Sequence, residues 1–283
     1  MTPFDRSVLN LSGFLSWLSR RKAARAIASH FPQRTRARLW AASYDMFEDS
    51  AEQFYAEVYL KHILDTIQVG RKLRVLDLGC GHGRFAIPIA ALGHEVTAFD
   101  ANEVALARAR EHAEQQGVSV DFRLADFWLE KFGTYDVLLA IESLNGTLDE
   151  LERFLPFAFG HLDNGGLMIL AVRTQYYQAA TLLKARDYDG ALRVTTDTAK
   201  TRWLEPHELR ATLLSAGYEV LDTVGIGVIS GLEFDPLGFL ANPAKLTANE
   251  KHVLEQIELK FGSQNEVAGC ARYILAIAKK TGG

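Results

Sequence analysis

Val75-Leu76-Asp77-Leu78-Gly79-Cys80-Gly81-His82-Gly83 is the stretch on which the fold turns. A short apolar run typical of a buried strand passes into a turn with glycine at every second position. A helical segment, residues 84–92, follows. Glycines 79, 81 and 83 let the backbone adopt dihedrals that other residues avoid and let a ligand approach it closely. The helix that follows points its positive end at the turn. A dinucleotide fingerprint spaced G-x-G-x-x-G would place its third glycine at position 84, which is Arg84. A phosphate-binding P-loop is excluded as well, because no Gly-Lys-Ser/Thr follows. A plain strand-to-helix turn is the simpler alternative, and acids at matching places further along weigh against it.

Outward from this corner, apolar or β-branched runs at residues 73–78, 95–100, 119–124, 135–141 and 167–173 alternate with helical segments at 84–92, 102–116 and 148–159. Gly117 stops the second of these helices. Each run reads as a strand buried on both faces, so the alternation predicts an open, doubly wound α/β sheet. Later strands are expected at 219–229 and 271–278, separated by a helix that Thr247 opens with Glu250 as capping partner. Towards the N-terminus, Val8, Leu11, Leu15 and Leu18 recur at helical spacing, and Pro32 breaks that segment. A second helix is expected from Ser50, with Gln53 completing a capping box. Its apolar face is Phe54, Val58, Ile63 and Ile67, and Gly70 ends it. The expected organisation is a helical, basic N-terminal cap over residues 1–69 and one α/β domain over 70–283.

The chain has 283 residues, 48% hydrophobic and 23% charged, enough to bury a full core without staples. Two cysteines exclude a disulfide scaffold and a four-cysteine zinc site and fit a reducing, cytoplasmic setting. No apolar run approaches the roughly 20 residues of a membrane-spanning helix. Residues 8–18 are too short, and their positive cluster lies on the wrong side, for a secretory signal. The net charge of −4 conceals a split, with +7 over residues 1–43 and −11 over the remainder. The basic segment has several readings: a solvated helical cap over the active-site edge, a peripheral membrane contact, a grip on RNA, or an organellar transit peptide. The cap is the preferred one. The acidic body does not have the character of a nucleic-acid binder.

Asp100 ends the second strand, where a carboxylate can accept hydrogen bonds from both hydroxyls of a ribose; capping the next helix is its plainer role. Asp126 follows the third strand, Tyr135-Asp136-Val137-Leu138-Leu139-Ala140 forms the fourth, and Gly165-Gly166 precedes the fifth. In this order, residues 72–172 resemble the class I S-adenosylmethionine-dependent methyltransferases. The likeness extends more weakly to the C-terminus, through Trp203-Leu204-Glu205-Pro206-His207-Glu208-Leu209, Ala216-Gly217-Tyr218-Glu219-Val220 and a last strand at 271–280. The resemblance implies a seven-stranded, mostly parallel sheet whose last strand is antiparallel, with S-adenosylmethionine as cofactor and S-adenosylhomocysteine as product. It implies that Asp77, Gly79 and Gly81 lie at the methionine part, Asp100 at the ribose and Asp126 at the adenine amino group. Ala101 and Phe127 would flank the adenine, Ile141 and Glu142 would start the fourth-strand exit, and Tyr44 would act as a lid.

The resemblance implies in-line methyl transfer. The expected acceptor is oxygen, nitrogen or sulfur of a small or medium-sized metabolite. An RNA or protein acceptor gripped by the basic arm, or a non-catalytic cofactor-binding protein, are the alternatives. No Asn/Asp-Pro-Pro-Tyr/Phe follows the fourth strand, and neither cysteine is placed for pyrimidine methylation. No His/Cys cluster has metal-ligand spacing, so no metal is expected. Glu142 and His82 are the candidate catalytic groups, the latter also readable as a solvated or helix-terminal histidine. Asn145 reads equally as part of a turn. Arg173, Tyr176 and Tyr177 are candidate pocket residues, and His207 is expected to be structural.

Overall fold

A computed structural model describes residue 47 and residues 50–67, 70–199, 202–231 and 241–282. In chain order it contains helix α1 (Ser50–Thr66), strand β1 (Arg74–Leu78), α2 (Ala86–Ala91), β2 (Glu95–Asp100), α3 (Glu103–Gln115), β3 (Asp121–Leu124) and β4 (Tyr135–Ile141). These are followed by α4 (Leu148–Gly160), β5 (Leu162–Arg173), α5 (Gln175–Lys184), α6 (Tyr188–Thr196), α7 (Pro206–Ser215), β6 (Tyr218–Ile226), α8 (Ala248–Gly262), α9 (Asn265–Ala268) and β7 (Tyr273–Lys280).

The seven strands form one sheet in the order β3-β2-β1-β4-β5-β7-β6. The pairs β1/β2, β1/β4, β2/β3 and β4/β5 are parallel, and β7 runs antiparallel to both β5 and β6. The expected sheet, with its antiparallel last strand, is thus the observed one. Strand periodicity divides the side chains between two cores. Val75, Val96, Val137 and Ile169 face a layer containing α1, α2 and α8. Leu76, Phe99, Leu138 and Leu170 face the other way, onto α4 and α7. Residues 50–67 therefore share one core with the sheet: Phe54, Tyr55, Tyr59, Ile63 and Ile67 are all at most 2% exposed. Lys61 ties α1 to Glu255 of α8 at 2.7 Å.

Several sequence expectations shift. The strand at 119–124 is not buried on both faces: β3 is the sheet's edge and three of its four residues are exposed. β5 begins at Leu162, before the two glycines, because Tyr135 of β4 pairs with Leu162 across a register irregularity. Gln53, expected to complete a capping box with Ser50, donates its amide to the Phe47 carbonyl. The Thr247–Glu250 box forms as expected. The stretch after β5 forms the helix pair α5 and α6, whose starts are capped by Thr174 and Asp187.

The chain runs outward from β1 to β3, then crosses back to lay β4 on the other flank of β1. Loops leaving β1 and β4 therefore flank one crevice at the carboxyl edge of the strands. Such switch points are where open α/β sheets bind ligands.

Candidate active site

The loop leaving β1 is pinned to the end of β2. Gly79 N–H and Cys80 N–H both donate to the Phe99 carbonyl, at 2.8 and 2.9 Å. Asp100 completes the clasp, one carboxylate oxygen accepting from Gly81 N–H at 2.8 Å and the other from Asn102 N–H at 2.7 Å. Asn102, rather than Asp100, caps α3, its side chain accepting from Val104 and Ala105 N–H. This removes the plainer reading of Asp100. Burial raises the Asp100 carboxyl above its usual range, and the backbone donors offset part of that rise. Ala101 N–H is a third backbone donor to this carboxylate, which still leaves acceptor capacity for a ribose hydroxyl.

Two glycines of the turn are sterically decisive. Gly79 has φ +78°, and a Cβ there would lie 2.4 Å from the Cβ of Ser143, so only glycine lets the β1 and β4 loops touch. Gly81 has φ +54°, and the space where its Cβ would sit is open. Backbone at Gly81 is thus exposed to whatever occupies the crevice. Beneath the turn, Asp77 is 2% exposed, and its Oδ2 has no hydrogen-bond partner among the described residues. Burial, with the Asp100 charge adding to it, raises the Asp77 pKa to about 7. A buried carboxyl with an orphaned oxygen carries a polar demand that the described residues leave unmet.

The remaining expected cofactor residues fall on the same edge. Asp126 is exposed, its side chain accepting from Trp128 N–H at 3.1 Å, with Phe127 half-buried beside it. Ala101 is exposed next to Asp100, and Ile141 is buried, bringing only its backbone to the edge. Tyr44 and the basic segment 1–43 lie outside the described residues. His82 is fully buried rather than solvated or at a helix end. His207 is on the surface at the start of α7, 3.4 Å from Glu205.

Across the crevice, Glu142 follows β4 with φ +57°. A non-glycine residue held in the left-handed region costs roughly 1–3 kcal/mol and persists only where its surroundings fix it. The fixing partner is Arg84, 7% exposed, whose guanidinium pairs with Glu142 and with Glu52 of α1, each at 3.0 Å. Arg84 also lies over the rings of Phe85 and Tyr59, at 4.6 and 5.6 Å. Burial by itself would raise the Glu142 pKa, but Arg84 and Arg272 more than offset it and hold the carboxyl below its usual range. Tyr59 faces the same carboxylate, and burial together with that charge pushes its phenol well above the ordinary value.

Glu142, Ser143, Asn145, Arg173, Trp203 and Tyr273 line a cavity of about 310 Å³. Tyr177 is buried and Tyr176 is on the surface, so of the three candidates after β5 only Arg173 lines the cavity. Sequence reasoning missed Arg84, Glu52, Trp203 and Tyr273. Arg84 carried a signal: a charged residue directly after a glycine turn, opening a buried helix, needs a buried partner.

A sequence profile described as "Methyltransferase domain" matches residues 75–166, from β1 into β5. The ubiquinone biosynthesis O-methyltransferase of Methylocella silvestris is 35% identical over 170 residues, 58% of this chain and 63% of that protein. That of Rhizobium johnstonii is 31% identical over 186 residues, 61% of this chain and 68% of that protein. The chain thus spans a little under two thirds of the first of these relatives. Among solved structures, a Synechocystis magnesium protoporphyrin IX methyltransferase with S-adenosylhomocysteine bound superposes with a TM-score of 0.56 at 15% identity, covering 98% of each chain. The cyclase SpnF superposes at 0.52 with 18% identity over 82% of each. A cyclase on the same fold means that the reaction must be argued from the site, not from the architecture. The residues at the β1 turn, the match through β5 and the relatives together assign the chain to the class I S-adenosylmethionine-dependent methyltransferase family.

Proposed function

We propose that the protein transfers the methyl group of S-adenosylmethionine to a hydroxyl oxygen of a small molecule. The carrying observation is the contact between Gly79 and Ser143, which brings the glycine turn against the wall of the Glu142 cavity. A donor lying on the turn and an acceptor in the cavity would then meet across one loop junction. The relatives' name, O-methyltransferase, supports oxygen as the acceptor atom.

The turn fits the cofactor: open space at Gly81, spare acceptor capacity on Asp100 and an orphaned oxygen on Asp77. Asp100 would hold the ribose, with Asp126 and Phe127 at the adenine end. Bound there, the cofactor supplies an electrophilic methyl on a sulfonium. Everything else is positioning and exclusion of water.

Glu142 has a defined part in that positioning. A carboxylate held below its usual pKa is a weak base and cannot strip a phenol in advance. It can accept the hydrogen bond of the acceptor hydroxyl and so turn an oxygen lone pair towards the methyl group. As the new bond forms, the hydroxyl proton loses its affinity for oxygen and leaves through Glu142 to solvent. Fixing the carboxylate by Arg84 and by its own left-handed backbone sets the direction of that lone pair. His82 has no part in this reading, because it is not among the residues that line the cavity. Two free thiols, one buried at Cys80 and one exposed at Cys270, support a reducing, cytoplasmic setting.

The test is to incubate the protein with methyl-labelled S-adenosylmethionine and a cell extract, then separate small-molecule, lipid, RNA and protein fractions. Label is expected in the small-molecule or lipid fraction, as an ether stable to mild base. Label in RNA or protein would overturn the acceptor class, and cofactor binding without label in any fraction would overturn the enzyme.

A further inference from the structure

One face of α1 lies against both of the guanidinium groups that hold Glu142. Glu52, Tyr55 and Tyr59 follow one another at helical spacing, i, i+3 and i+7, and so share a side of the helix. Glu52 accepts from Arg84 Nη1 at 3.0 Å, and the Tyr59 ring centre lies 5.6 Å from the same guanidinium. Tyr55 stands beside Arg272, its ring centre 4.6 Å from that guanidinium. Both tyrosines are buried, and the Glu52 side chain is largely so. Arg84 and Arg272 are the two cations that keep the Glu142 carboxyl below its usual range. The other titratable groups that face this carboxylate are Tyr59 of α1, Tyr273 of β7 and Arg173 of β5.

A guanidinium is planar, and its N–H groups keep fixed directions relative to one another. Holding Nη1 on Glu52 therefore sets where Nη2 points, and Nη2 is the group that meets Glu142 at 3.0 Å. The anchor is firm, because α1 is a 17-residue helix whose large side chains lie in the main core. Glu52 also shares the charge of Arg84. A second carboxylate on one cation opposes ionisation of the first, so Glu52 tempers the pull on Glu142 while directing it.

We propose that α1 belongs to the reacting site, with Glu52 as a positioning residue that acts through Arg84 to aim the Glu142 carboxylate at the acceptor. The proposal rests on the methyl-transfer reading above for the use of Glu142, and on the geometry of α1 for how Glu142 is held.

The test follows Glu142 itself and then turnover. In the full chain, labelled with carbon-13 at its glutamate side-chain carboxyls, the Glu142 resonance is assigned from Glu142→Gln and titrated against pH. Glu52→Gln keeps an oxygen that can accept from Arg84 but removes the charge, so the Glu142 midpoint is expected to move to lower pH. Arg84→Met is expected to move it the other way. Glu52→Ala gives up the oxygen as well. With labelled S-adenosylmethionine saturating, its transfer to the acceptors of a cell extract is expected to fall about tenfold or more, while affinity for S-adenosylhomocysteine holds. Glu52→Gln carries the test should Glu52→Ala fail to fold. An unchanged Glu142 midpoint in Glu52→Gln, full transfer by Glu52→Ala, or a loss of transfer matched by an equal loss of S-adenosylhomocysteine affinity would each overturn the proposal. Midpoints that move as stated, in a wild type that transfers no label, would keep the link from Glu52 to Glu142 and overturn the methyl-transfer reading instead.

Discussion

Asp77 and Arg84 show how single side chains in this molecule hold opposite charge balances. Asp77 is buried with one oxygen unpaired, and its pKa is pushed up to about 7 from the ordinary 3.8. Across that window the folded protein holds a proton that the unfolded chain has released. Its contribution to stability is therefore lost as pH rises from about 4 and stops changing above about 7. The ligand-free protein is expected to melt at progressively lower temperature across that range, and Asp77→Asn should flatten this component when melting is followed against pH. Arg84 is the converse, one cation serving two carboxylates. Arg84→Met would leave Glu52 and Glu142 facing each other in the interior, at a cost of about 3–5 kcal/mol. Glu142 would then regain a higher pKa. Denaturant unfolding should show the loss, and the acid limb of kcat/KM should move to higher pH.

At the scale of the element, the turn after β1 works because two loops share one position. At Gly79 a Cβ would combine left-handed strain with a backbone-adjacent clash at 2.4 Å from Ser143. At Gly117, which ends α3 with φ +65°, a Cβ meets open space. Gly117→Ala should therefore cost only the conformational penalty, about 1–2 kcal/mol. Gly79→Ala should cost more and, unlike Gly117→Ala, should weaken S-adenosylhomocysteine binding, because the β1 and β4 loops must part to admit the methyl. Equal losses of stability and equal ligand affinity in the two variants would contradict this account. The glycine turn is legible in the sequence because its chemistry lies within nine consecutive residues. The Glu142–Arg84–Glu52 chain is not, since its three members come from separate elements and none departs from ordinary composition.

For the whole molecule, α1 is the element whose place the sequence left most open. The expected domain division placed it in the N-terminal cap, yet five large side chains of α1 and the residue after it, from Phe54 to Ile67, lie in the main core. Burying each is worth about 1.5–3 kcal/mol, so together they rival the 5–15 kcal/mol by which domains are stable. A chain beginning at residue 70 should lack a cooperative thermal transition, and a sharp melt near that of the full chain would show the sheet to be self-sufficient. α1 also carries Glu52, so its loss would free one arm of Arg84 even if the sheet survived.

The sequence by itself determined the local features: the strand–glycine–helix corner, the alternation that makes a doubly wound sheet, the acid ending β2 and the Thr247 capping box. Each depends on residues within one helical turn or one strand, where period and backbone preference act directly. The tertiary structure alone decided which side of the turn is open, that Asn102 rather than Asp100 caps α3, that His82 is interior, and that Arg173 and Glu142 line one cavity. Those outcomes depend on the order in which strands pair. That order brings residues far apart in the chain to one edge, and no local pattern encodes the distance between them.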